Sequence, residues 1–121
     1  MRHMSRKNYK NLIAWQKAHA MVPEVYQALA QLPREEKYAL ADQIRRAAIS
    51  VPANIAEGHG RQHQKEFCQF LGIARGSLSE LETLLILAQD LGYLPPTKLE
   101  QLEAMTQEIG KLINGLMRTL T

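Results

Sequence analysis

Arg45 and Arg46 stand side by side, with Ser50, Asn54 and Glu57 following, in a stretch otherwise made of alanine, isoleucine and valine. A second polar group, Ser77, Glu80 and Glu82, interrupts a leucine-rich run thirty residues on. Some of these side chains must be buried or half-buried, and two chemistries suit them. A guanidinium meets a carboxylate through a planar fork, so Arg45 or Arg46 paired with Glu80 or Glu82, within or between chains, is a structural use, with Asn54 and Glu57 in the same polar set. The other use is phosphate binding, with Arg45, Arg46, Arg61, Lys65 and Arg75 lining a basic surface. Adjacent helix residues point about 100° apart, so one of the two arginines is expected to serve the fold and the other to be available.

Catalytic chemistry is poorly supported. Cys68 lies between Phe67 and Phe70, where a thiol is expected to act as a small packed apolar group. His59 and His63 are four apart, with Glu66 close by, and would supply nitrogen and oxygen ligands to a metal-dependent enzyme. That needs one continuous helix across both histidines, but Gly58 and Gly60 flank His59, so both are expected as solvent histidines of a loop. His19, in the apolar stripe of the first helix, is expected to be a hydrogen-bonded core or interface residue. Gly58-His59-Gly60 joins two helices and lacks the lysine and serine of a triphosphate-cradling loop, so no cofactor is expected.

The 121 residues are 45% hydrophobic and 22% charged, enough for one small core. The net charge of +3 is unevenly spread. Arg2, Arg6, Lys7, Lys10 and Lys17 carry five positive charges before the first acid, whereas residues 76–121 carry a net −3. The basic start could meet phosphates or the acidic half of a neighbouring chain. No apolar run is long enough to span a membrane, none follows the basic start as a secretory signal would require, and the single cysteine cannot form an internal disulfide. A cytoplasmic protein is expected. Aromatics at 6% are few for a broad base-stacking surface.

Four segments of helical periodicity must position these residues. In the first, Leu12, Trp15, Val22, Tyr26 and Leu29 make one row, with Ala18, Val25 and Leu32 adjoining, and Pro23 predicts a kink or break near Ala20 to Val22. Pro33, Glu35 and Glu36 read as the opening of the second helix, which buries Leu40, Ile44, Ala47, Val51 and Ile55, kinks at Pro52 and ends at Gly58 or Gly60. The third runs from about His63 to Leu91 on the seam Phe67, Leu71, Ala74, Leu78, Leu81, Leu85 and Ala88. Gly72 and Gly76, one turn apart on it, predict a close backbone contact. Gly92 reads as a C-terminal stop, Thr97 to Glu100 as a capping box, and the last helix turns Leu102, Met105, Ile109, Leu112, Leu116 and Leu120 inward. With no alternating strand pattern and short connections, an all-α, antiparallel up-and-down four-helix bundle over residues 9–121 is predicted, behind a flexible basic arm at 1–8. The wide stripes of the first and third helices suggest contact with another subunit.

The string Gln43 to Gly58, QIRRAAISVPANIAEG, resembles the signature of the four-helix-bundle family encoded by intervening sequences of bacterial 23S ribosomal RNA genes. The likeness continues in Lys65-Glu66-Phe67, Phe70-Leu71, Ile73-Ala74, Gly76-Ser77, Glu80 to Thr83 and Leu91 to Leu94. It begins at Leu12, Trp15-Gln16, Ala18 and Val25-Tyr26; what precedes Asn8 lies outside it, and Met1 to Met4 look like an expression scar. The resemblance implies a bundle that assembles into a ring-like homopentamer without enzymatic activity. A related branch, the accessory variability determinants of diversity-generating retroelements, implies basic pentameric barrels that bind nucleic acid and a reverse transcriptase. Pro23 departs from the pattern, as does His63, where a serine or threonine cap is common. The expectation is therefore an oligomer that binds nucleic acid, RNA before DNA, through Arg2, Arg6, Lys7, Lys10, Arg45, Arg46, Arg61, Lys65 and Arg75. The alternative is a purely structural or protein-interaction ring, in one form an accessory to a reverse transcriptase.

Overall fold

The computed structural model describes residues 8–36 and 38–121; Arg2, Arg6 and Lys7 of the basic arm, like Met1 to Met4, lie outside them. A 3-10 turn, Tyr9–Asn11, leads into α1 (Ile13–Leu29), and a second, Arg34–Glu36, precedes α2 (Leu40–His59). Then come α3 (Gln64–Asp90) and α4 (Pro96–Thr119), with no strand among the described residues. Each helix packs on the next and α1 packs on α4, which closes the predicted bundle. No helix of the described residues is long and apolar enough to cross a membrane.

The core follows the predicted rows on α2 and α3. Leu40, Ile44, Ala47, Val51 and Ile55 are buried, facing Leu71, Ala74, Leu78, Leu81, Leu85 and Ala88. On α4 the fully buried row is Leu99, Leu102, Thr106, Ile109 and Ile113, while Met105, Leu112, Leu116 and Leu120 seal its edge. On α1 the predicted seam is displaced. Ala14, Ala18, Met21, Val25 and Ala28 fill the centre, Leu12, Trp15 and Val22 lie at the flank, and Tyr26 is exposed. The alanines admit close neighbours, so the large residues of that wide stripe are left at its margins.

Neither internal proline breaks its helix. α1 runs unbroken through Pro23, whose ring is exposed, so the carbonyl it leaves unbonded one turn earlier can reach water. α2 likewise continues through the buried Pro52. Pro33, Glu35 and Glu36 do not open α2. Pro33 leads into the short 3-10 turn that holds Glu35 and Glu36, and α2 starts at Leu40, its first inward residue. The capping box also fails: α4 begins with Pro96 at its first turn, where a missing N–H costs nothing, and Pro95 precedes it without a side-chain cap. His63 stands at the start of α3 and makes no cap bond either.

The stop after α3 is as predicted. Gly92 takes φ +84°, the left-handed region, its N–H donates to the Gln89 carbonyl at 2.9 Å, and the Tyr93 N–H donates to the Ala88 carbonyl at 2.9 Å. Those two bonds satisfy carbonyls that a helix end would otherwise leave open. The predicted close approach at Gly72 and Gly76 is absent, since a Cβ on either would meet nothing within 4 Å. The close approach is at Gly58 instead: a Cβ there would come within 2.6 Å of Phe70 Cβ and 3.0 Å of Phe67 Cδ1.

Candidate nucleic-acid interface

An even number of antiparallel helices returns the chain to its starting end. The Tyr9–Asn11 turn, the α2–α3 connection and the end of α4 therefore share one end of the bundle. Asn11 to Ala14 and Lys111 to Thr119 line one groove there, and Cys68 and Arg75 share another with Asn114 and Arg118. At the opposite end are the α1–α2 connection and the Gly92 turn. Basic residues from three separate stretches of sequence thus gather at the first end: Lys10, then Arg61 and Lys65, then Lys111 and Arg118. All are exposed.

Among the described residues Lys10, Lys65, Lys111 and Arg118 enter no ion pair. Lys10 is held in place by its backbone, whose carbonyl accepts a bond from Gln16 Nε2 at 2.8 Å. Arg61 lies with its guanidinium carbon 4.7 Å from the centre of the Phe70 ring and pairs with Glu57 Oε2 at 2.8 Å. Both contacts orient it and leave it exposed. Arg75, further along α3, donates to Asn114 Oδ1 at 2.9 Å. Lys17 faces Glu108 at 3.6 Å, a half-exposed pair of small energetic consequence.

Arg45 and Arg46 do not join this group. They lie near the opposite end, fifteen or more residues before Arg61 along α2, a separation of roughly 20 Å at the helical rise. Within the chain they do not reach Glu80 or Glu82 either. Both turn to Asp42 on their own helix, Arg46 at 3.2 Å and Arg45 at 3.7 Å. Residues three and four apart share a helix face, so Asp42 was the nearer partner, and its place in the first turn also suits the helix dipole. The two arginines do differ: the Arg45 side chain is 27% exposed, beside Tyr26, Leu32 and Pro33, while that of Arg46 is 80% exposed.

Glu82 instead accepts a bond from the buried Thr106 hydroxyl at 2.7 Å, tying α3 to α4, and Glu80 forms no ion pair among the described residues. Asn54 Nδ2 donates to the Ser50 carbonyl at 2.8 Å and to Ser50 Oγ at 2.9 Å, and the Ser50 and Ser77 hydroxyls are 2.7 Å apart. The polar residues set into the apolar stripes thus form small bridges between helices rather than a charged centre.

His59 is not a solvent histidine. It closes α2, half-buried, edge-on to Phe67 at 5.5 Å, and its Nδ1 is buried without a hydrogen-bond partner. Burial disfavours the imidazolium and lowers its pKa from the usual 6.5. His63 is exposed, and no three His, Cys, Asp or Glu side chains among the described residues are placed to hold a metal ion. Cys68 is half-buried. His19 is exposed rather than buried, its ring stacked on Trp15 with centroids 4.6 Å apart.

Lys111 and Arg118 were missed in the sequence because they sit in its acidic second half. Counting helices would have found them, since the end of a fourth antiparallel helix lies beside the start of the first.

Residues 10–115 match the family model described as 23S rRNA-intervening sequence protein. Among solved structures, a protein of unknown function from the S23 ribosomal protein family of Bacteroides thetaiotaomicron superposes with a TM-score of 0.81. It is 24% identical, and the alignment covers 93% of this chain and 98% of that one. No curated protein matches the sequence.

Proposed function

The chain belongs to the 23S rRNA-intervening sequence protein family, and from that premise we propose that it is a cytoplasmic, non-catalytic RNA-binding protein. It acts as a closed homo-oligomer, five chains as the resemblance implies. The observation that carries this reading is that four exposed cations without ion-pair partners, Lys10, Lys65, Lys111 and Arg118, gather at one end of the bundle with Arg61 beside them, whereas among the described residues the opposite end has one such cation, Arg34. Cations committed to the fold are paired; these four are free to replace the counterions of a phosphate backbone. In a ring each chain repeats the basic end, so weak contacts multiply. Large apolar side chains left exposed along α3, Ile73, Ile86, Leu87 and Leu91, supply surface for a second copy.

Those same residues favour the second reading, a purely structural ring or an accessory to a partner such as a reverse transcriptase. Salt separates the two. Anisotropy of a labelled single-stranded RNA, titrated at several salt concentrations, should show log affinity falling linearly with log salt, by roughly 0.7 per phosphate contact. Lys65→Glu, Lys111→Glu and Arg118→Glu together should flatten that slope by about 2 and weaken binding by roughly a hundredfold at low salt, with melting temperature and oligomer mass unchanged. DNA of the same sequence should bind more weakly than RNA. Wild type that ignores RNA at low salt, yet remains an oligomer by light scattering, would leave the structural ring standing.

A further inference from the structure

Seven aromatic residues in the whole chain argue against a broad stacking surface, yet two of them and a histidine meet at the basic end. Trp15 and His19 are one helical turn apart on α1, and their rings stack at 4.6 Å with planes 22° apart. Tyr9 approaches Trp15 edge-on at 5.2 Å. Trp15 and Tyr9 are half-buried, whereas His19 is exposed, so the group has an anchored base and an open top. The Tyr9–Asn11 turn cannot drift from α1, because Gln16 Nε2 holds the Lys10 carbonyl and the Leu12 N–H donates to the Tyr9 carbonyl at 2.9 Å. The turn that places the aromatic ring therefore also places Lys10. No acid precedes Glu24 in the sequence, and among the described residues the carboxylate that forms an ion pair with this stretch, Glu108, faces Lys17 at 3.6 Å.

We propose that Tyr9, Trp15 and His19 form a stacking platform for an unpaired nucleobase of single-stranded RNA, with Lys10 beside it to meet the adjoining phosphate. The proposal rests on the RNA-binding reading and adds to it the chemical form of the ligand: a strand whose bases are free to stack, not a duplex. Rings joined to a cation are the recurrent means by which proteins hold single strands without reading their sequence, because every base offers a π-face. Packing alone would account for Tyr9 against Trp15. It leaves the outer face of the exposed imidazole uncovered, with Lys10, which enters no ion pair among the described residues, on the same turn as Tyr9.

The full chain carries one tryptophan, so emission excited in the red edge of its band reports this site alone. The probes are oligoadenylate, an abasic sugar–phosphate strand of equal length and charge, and the same oligoadenylate paired with oligouridylate. Oligoadenylate should alter Trp15 emission and bind roughly tenfold more tightly than the abasic strand. His19→Ala should remove that advantage and leave abasic binding unchanged, while His19→Phe, which keeps a flat ring, should restore it. His19 is exposed, so neither variant threatens the fold, and unchanged melting curves verify this. Equal affinity for the base-bearing and abasic strands, with Trp15 emission unmoved and His19→Ala neutral, overturns the platform and leaves the phosphate reading intact. Binding of no strand at low salt overturns both. Preference for the duplex overturns the platform alone.

Discussion

The two ends of the bundle treat charge in opposite ways. At the end holding the Gly92 turn, Lys98 Nζ lies 3.3 Å from Glu24 Oε1, which also accepts a bond from Gln101 Nε2 at 3.2 Å. Tyr93 donates to Glu36 Oε2 at 3.2 Å, and Arg45 and Arg46 turn to Asp42. These contacts tie α1 to α4 and the loop before α2 to the loop after α3. At the other end Lys10, Lys65, Lys111 and Arg118 form no ion pair among the described residues, and the helices are held by packing around Gly58. One end holds most of its cations in ion pairs; the other is closed by packing and, among the described residues, keeps those four outside ion pairs.

The strongest test of that division is Gly58→Ala. Its Cβ would have to displace Phe70 Cβ and Phe67, a steric cost of about 1–3 kcal/mol, which outweighs the roughly 1 kcal/mol that alanine gains over glycine within a helix. Gly72→Ala, where nothing lies within 4 Å, should have the opposite sign and raise stability by up to about 1 kcal/mol. Thermal melts should therefore place the first variant roughly 5 °C below wild type and the second at or above it. Two equal melts would mean that packing at Gly58 does not hold the basic end together.

A smaller effect is expected from Lys98→Ala at the opposite end. The Lys98 and Glu24 side chains are 20% and 35% exposed, so solvent screens much of their attraction, and the loss should be about 0.5–1 kcal/mol in urea unfolding. RNA affinity should not move. A drop in affinity to match that of the Lys65→Glu, Lys111→Glu and Arg118→Glu variant would erase the distinction between the ends.

The smallest effect concerns pH. The folded-state pKa of His59 lies below the unfolded value of 6.5, so the unfolded chain binds the extra proton first. The contribution of His59 is fully present above pH 6.5 and is lost as pH falls through 6.5 toward the lower folded value. Urea midpoints measured from pH 7.5 to pH 5.5 should fall more for wild type than for His59→Gln. Parallel curves would show that the buried Nδ1 has no influence on stability.

Much of this fold is legible in the sequence. The α3 seam from Leu71 to Ala88 alternates at three and four with large aliphatics, and such a row has only one face to bury. Gly92 before Tyr93-Leu94-Pro95-Pro96 leaves a helix no way to continue. Glycine spacing misled at Gly72 and Gly76, because a spacing shows where backbones could approach and not which neighbour is bulky. At Gly58 the signal lay in another helix, in Phe67 and Phe70. Within one chain the partner of Arg45 and Arg46 is Asp42, one turn away on the same helix face, not the long-range Glu80 or Glu82. Of the cations expected to bind nucleic acid, the six among the described residues do not form one patch, since Arg45 and Arg46 belong to the end of α2 remote from Arg61. Lys10 and Lys65 stay together only because the helices alternate in direction.

That alternation also has a practical side for handling the molecule. A carrier or affinity peptide joined after Thr121 emerges beside Arg118 and the Tyr9 turn, where it would shield the lysine-bearing surface. The segment from Gly92 to Pro95 faces away from that surface. An immobilising label at this hairpin would present the lysine-bearing end outward to solution, and a polymer tethered through Thr121 would hide it.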